Sequence, residues 1–186
     1  MIRLLLPGLL LATGPAAPAA DLSPSDPVLR TLLEGEAAEG AGNHAALLDT
    51  AQILKALGAT PADGQADLAT QWTQEASDHG VTRSGLGFRG RALGPAYRHG
   101  SIGARGSMTV RQLFLAGQRA QISVAPARGA ANLSLRVQGA DGNTLCAKPI
   151  GGVQADCAWL PLFTDRYDIV IENGGTAPAA FYLVVR

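Results

Sequence analysis

Gly85-Leu86-Gly87-Phe88-Arg89-Gly90 repeats the glycine pattern that cradles a dinucleotide pyrophosphate. That chemistry needs a strand before the glycines, a helix after them and an acid about 20 residues further on to hold a ribose. The chain has none of these around the motif, so no cofactor is expected and the segment reads as a connection. The histidines, His44, His79 and His99, share no i, i+4 ligand spacing, and no metal set is expected from them. His79, at the expected end of a helix, suits the dipole there. His99 with an aspartate and one of several serines would make a hydrolytic triad only if the fold assembled them in space, and no G-x-S-x-G marks a nucleophile. Asp141, Gly142 and Asn143, with Asp156, Asp165 and Asp168, offer oxygens of the kind calcium takes. Asx-Gly turns form as readily without a metal, and that is the expectation here.

Charge is distributed unevenly. Between residues 21 and 78 ten carboxylates face only Arg30 and Lys55, whereas residues 79 to 140 carry nine arginines and no acid. A formal net charge of +0 therefore hides a dipolar chain. Two readings compete. In the first, the acidic part docks on the basic part and the charges satisfy one another. In the second, Arg83, Arg89, Arg91, Arg98 and Arg105, with Phe88 and Tyr97 interleaved, face solvent and grip an anionic partner, since a guanidinium holds carboxylate or phosphate bidentately. The partner would be an acidic protein or a polyanionic envelope component. Nucleic acid is not expected, because no recognition motif accompanies the arginines.

The elements that would position these groups divide at about residue 80. Asp26-Pro27 starts a first helix with Val28, Leu29, Leu32 and Leu33 on one face. Asn43 caps a second, in which Leu47, Ala51, Leu54 and Leu57 recur before Gly58 and Pro61 end it. A third, from about Gln65 to Gly80, aligns Leu68, Trp72 and Ala76, with Trp72 expected to join the helices to the rest of the chain. Residues 85 to 106 read as a Gly/Arg-rich connection with little regular structure. From Met108 the period becomes two: Ala120, Ile122 and Val124 alternate with polar residues, as do Leu133, Leu135 and Val137. Further strands are expected at 144–147, 157–160, 167–172 and 181–185. Six or seven short strands over about 80 residues predict an antiparallel sandwich of jelly-roll type. The apolar run from Trp159 to Phe163 is expected to pack over its core.

The 186-residue chain opens with Arg3, an apolar stretch from Leu4 to Ala12 and Ala17-Pro18-Ala19, the layout of a cleavable signal peptide with no transmembrane anchor. Cys146 and Cys157 are the only cysteines, and in an exported chain the two are expected to form a disulfide. The 13 arginines against two lysines fit a bacterial source, so a periplasmic or secreted location follows. The fold class is α+β, divided as a signal peptide (1–19), an acidic helical region (20–80), a Gly/Arg-rich connection (81–107) and a disulfide-bearing sandwich (108–186).

Leu115-Ala116-Gly117-Gln118 leading into a strand, Leu133 to Val137 followed by Asp141-Gly142-Asn143, and the closing pair 167–172 and 181–185 resemble the bacterial pre-peptidase C-terminal type of β-sandwich domain. The likeness covers about residues 114–185. Thr164-Asp165-Arg166-Tyr167 departs from it where such domains often place a glycine. The resemblance implies a non-catalytic accessory or binding module and carries over no functional residues. The expected function is accordingly a binding or accessory role outside the cytoplasm, without enzymatic activity. The alternatives are a small hydrolase with a site near His99 and a structural subunit of an envelope assembly.

Overall fold

The computed structural model describes residues 23–82, 94–129 and 131–186. The expected signal peptide, the Gly85–Gly90 motif and Arg83, Phe88, Arg89 and Arg91 lie outside these residues.

Three helices come first: α1 (Pro27–Gly40), α2 (His44–Ala56) and α3 (Leu68–Asp78). Each begins at a side chain that accepts the free N–H groups of a first turn. Asp26 accepts from Val28 and Leu29, Asn43 from Ala46, and Asp67 from Thr70. The third helix starts three residues later than its apolar spacing predicts, because Asp67 and not Gln65 supplies the cap.

Among the described residues nine strands form two sheets. The first holds β1 (Thr60–Pro61), β2 (Ala96–Ile102), β9 (Ala179–Val185), β4 (Ala120–Pro126) and β7 (Ala155–Trp159), in that order across the sheet. The second holds β3 (Ser107–Phe114), β8 (Asp165–Asn173), β5 (Leu133–Gln138) and β6 (Thr144–Ile150). All pairings are antiparallel except the short β1–β2 contact. The expected connection between helices and sandwich therefore has to be corrected, since seven of its residues, 96–102, are a strand of the first sheet. Arg98, His99, Gly100 and Ser101 hide that strand from a hydropathy reading, for only Tyr97 and Ile102 within it are buried.

The layers are helices, first sheet, second sheet. Ile122, Val124, Phe181 and Leu183 meet Leu133, Leu135, Ile169 and Ile171 between the sheets. On the other side of the first sheet, Tyr97, Ala125, Tyr182 and Val184 pack against Leu29, Leu32, Leu54 and Trp72 of the helices. Covered on both faces, β4 and β9 are buried along most of their length; β9 reads as a nearly unbroken apolar run, and β4 carries the buried Ser123 within its own. Trp72 is the predicted joint between layers, and it lies so close to α1 that a Cβ at Gly35 would fall 2.2 Å from its ring.

The disulfide is formed. Cys146 on β6 and Cys157 on β7 sit with Cα atoms 6.0 Å apart, so the bond ties the outermost strand of one sheet to the outermost strand of the other.

Candidate functional site

Of the expected arginine surface, Tyr97, Arg98 and Arg105 lie among the described residues. Tyr97 is corrected outright: at 1% exposure its ring is core, and its hydroxyl accepts the Leu68 N–H at 2.9 Å, finishing the first turn of α3. Burial pushes the phenol up to about 12. Arg98 is half-buried on β2, and Arg105 stands exposed in the β2–β3 turn with φ 54°. Arg111 pairs with Asp168 at 2.7 Å and Arg136 with Glu172 at 2.6 Å, both along the second sheet. The acidic and basic parts of the chain meet at Arg128–Glu36, 2.7 Å, and Asp26 of the acidic part pairs with Arg186, which follows the last strand. Mutual satisfaction between helices and sandwich thus holds for those two pairs, while two more arginines are satisfied within the sandwich itself.

Asp141 uses both carboxylate oxygens on Asn143, at 3.0 and 2.6 Å, and these bonds hold it below its ordinary value. Asp156 accepts from Ser123 and Gln154, and Asp168 is committed to Arg111. Among the described residues no group of three or more His, Cys, Asp and Glu is arranged to hold a metal ion. His79 caps the C-terminus of α3 and stacks on His44 of α2 at 3.8 Å, a pairing invisible in their sequence spacing.

A cleft of about 510 Å³ opens on the helix side of the first sheet. Glu36 of α1, His99 and Ser101 of β2, Arg128 and Asn132 between β4 and β5, and the segment joining β8 to β9 line it. Alternation along β2 turns His99 and Ser101 to the face shared with Tyr97. Asn173 fixes the cleft wall. Buried at 2%, it donates to the carbonyls of Gly103 at 3.1 Å and Ala177 at 2.8 Å and accepts from the Gly175 N–H at 2.9 Å. The His99 ring lies 4.8 Å from that of Tyr182. Burial, and then the charge of Glu36, raise the Tyr182 phenol well above its ordinary value. Glu36 Oε1 accepts the Arg128 Nε–H, and the Glu36 carboxylate also takes the Tyr182 hydroxyl hydrogen. Arg128 remains mostly exposed, and among the described residues nothing bonds its terminal nitrogens. His99 was the only one of these residues that sequence reasoning had marked. Glu36, Arg128 and Tyr182 come from three distant stretches, and no local pattern joins them.

The run after β7 is also corrected. Pro161 is buried, but Leu160, Leu162 and Phe163 project into solvent. The turn is too short to fold back over a sheet already closed by Phe114, Trp159 and Tyr167, whose rings lie 4.9 to 5.8 Å apart beneath it.

No family model and no curated protein matches the chain. Among solved structures, the Yersinia pseudotuberculosis-derived mitogen is similar at 13% identity and TM-score 0.43, over 49% of this chain and 83% of its own. A periplasmic inhibitor of g-type lysozyme from Aeromonas hydrophila is similar at 18% identity and TM-score 0.37, over 49% and 83%. The pre-peptidase C-terminal domain of a collagenase from Bacillus anthracis is similar at 15% identity and TM-score 0.40, over 48% and 87%. The resemblance seen in the sequence thus recurs among these structures, and it brings no functional residue to this chain. The α+β class with a β-sandwich is carried by the strands themselves.

Proposed function

We propose that the chain is an exported, non-catalytic binding module that takes an anionic group of its partner in the cleft between α1 and the first sheet. The observation that carries this reading is the Glu36–Arg128 pair. A carboxylate held on the Nε edge orients the guanidinium and leaves its terminal nitrogens for a second, incoming carboxylate or phosphate. His99 and Ser101 add donors on the adjacent wall, and the Glu36 carboxylate beside them favours a ligand that also carries a donor. An acidic protein segment or a uronic-acid glycan of the envelope has both kinds of group. The disulfide supports the exported location, since such bonds persist in oxidising compartments. No helix among the described residues is long and apolar enough to cross a membrane.

The hydrolase alternative has the same address, because His99 and Ser101 share the cleft. The His99 ring lies against that of Tyr182 at 4.8 Å, and the Glu36–Arg128 pair beside it favours the binding of an anion. The test is a chemical-shift titration with an oligo-uronic acid and a polyglutamate peptide at low and high salt. Shifts at His99 and Ser101 that fade with salt, and affinity at least about tenfold weaker in Arg128→Gln, are expected. Binding indifferent to both salt and that substitution would overturn the reading, as would turnover of ester or peptide substrates that vanished in His99→Ala.

A further inference from the structure

Eight large apolar side chains are exposed among the described residues, and six of them, Leu113, Leu115, Leu145, Leu160, Leu162 and Phe163, belong to one end of the sandwich. The loops that carry them are tied together. The Gly117 N–H donates to the Pro161 carbonyl at 2.9 Å and the Ala116 N–H to Thr164 Oγ1 at 3.0 Å. Leu162 and Phe163, 80% and 76% exposed, form a braced knob on this base. Beside it lies a groove of about 390 Å³ lined by residues 139–141, Leu145, Trp159 and Tyr167, with the knob as its other wall.

We propose that this end is the interface of a homodimer in which the knob of each copy occupies the groove of the other. Three observations single out a second copy as the occupant. Knob and groove lie side by side on one surface, which is the self-complementarity a twofold interface demands. Weighted by their exposures, the six side chains present about 700 Å² at about 200 Å² each, so two copies have up to about 1,400 Å² of such surface to cover, within the range of stable interfaces. The border is of mixed sign, with Asp141 and Asp165 against Arg119 and Arg166, all exposed, so identical ends do not repel. A lipid surface of anionic charge would be better matched by a border of one sign.

The test is sedimentation equilibrium of the purified exported chain, disulfide formed, from about 1 to 200 μM, a span reaching well above micromolar affinity. A dimer is expected, with association at least about 100-fold weaker in Leu162→Ser/Phe163→Ser, as two central apolar anchors imply. Ile53→Ser, an exposed apolar residue of the helix layer, is expected to leave association unchanged. Both sites are exposed, and the far-ultraviolet spectrum of each variant checks that it folds. A monomer at every concentration, or a dimer indifferent to the double substitution, overturns the proposal. A monomer that pellets with phosphatidylglycerol vesicles and loses that property in the double variant assigns the end to lipid instead.

Discussion

Asp26 ties the start of α1 to the end of the chain. It caps α1 through Val28 and Leu29, its own N–H donates to Gln154 at 3.1 Å, and it meets the guanidinium of Arg186 beyond β9. Burial alone would favour the neutral acid. The Arg186 guanidinium and the two backbone donors outweigh it, so the carboxyl lies below its ordinary range. A carboxyl with a folded value below its unfolded one stabilises fully above the unfolded value, about 3.9, and loses that contribution as pH falls through the folded value. Asp26→Asn, which keeps the cap and loses the ion pair with Arg186, is therefore expected to cost about 1.5 to 3 kcal/mol at neutral pH. In urea titrations the gap from the parent chain should narrow below about pH 4. Asp26 was legible as a cap because Pro27 follows it directly. Its partnership with Arg186 was not, because 160 residues separate the two.

At the scale of elements, a short approach and a cross-link each set a limit. Gly35 is where α1 admits the ring of Trp72, so Gly35→Ala trades a gain in helix propensity of about 1 kcal/mol for overpacking of about 1 to 3. A net loss of stability is expected by thermal melting, and Trp72→Phe in the same chain should recover part of it. The disulfide closes a loop of sequence separation 11, which stabilises by about 2 to 3 kcal/mol. Cys146→Ser/Cys157→Ser should melt about 5 to 10 °C lower. Helix starts, two-period strands and the cysteine pair were readable because each depends on neighbours in sequence. The strand β2 was not. Its polar residues face the cleft or the sheet margin and its partner β9 lies some 80 residues away, so neither period nor turn marks it. The Trp159–Phe163 run misled for the opposite reason, since its composition is that of a core while its place is a loop.

At the scale of the whole molecule, the cleft and the apolar end lie on different parts of the fold. The first opens on the helix side of one sheet; the second gathers loops at the end of the sandwich. Arg128→Gln is accordingly expected to leave sedimentation unchanged, and the Leu162/Phe163 variant to keep its affinity for an acidic probe at saturating probe concentration. Measuring both properties on both variants checks this independence, as distant sites without shared partners behave additively.

The order of strands carries a consequence for how the chain comes to be folded. In the first sheet β9 lies between β2 and β4, and α1 packs on it, yet it follows every other strand in sequence. During synthesis the β1–β2 pair and the β4–β7 pair cannot join into one sheet until that segment is complete, and α1 has only part of its floor. Long-range closure of this kind is slow to form. The nascent chain is thus expected to remain threadable, and open to proteolysis, until residues 179–185 have left the ribosome.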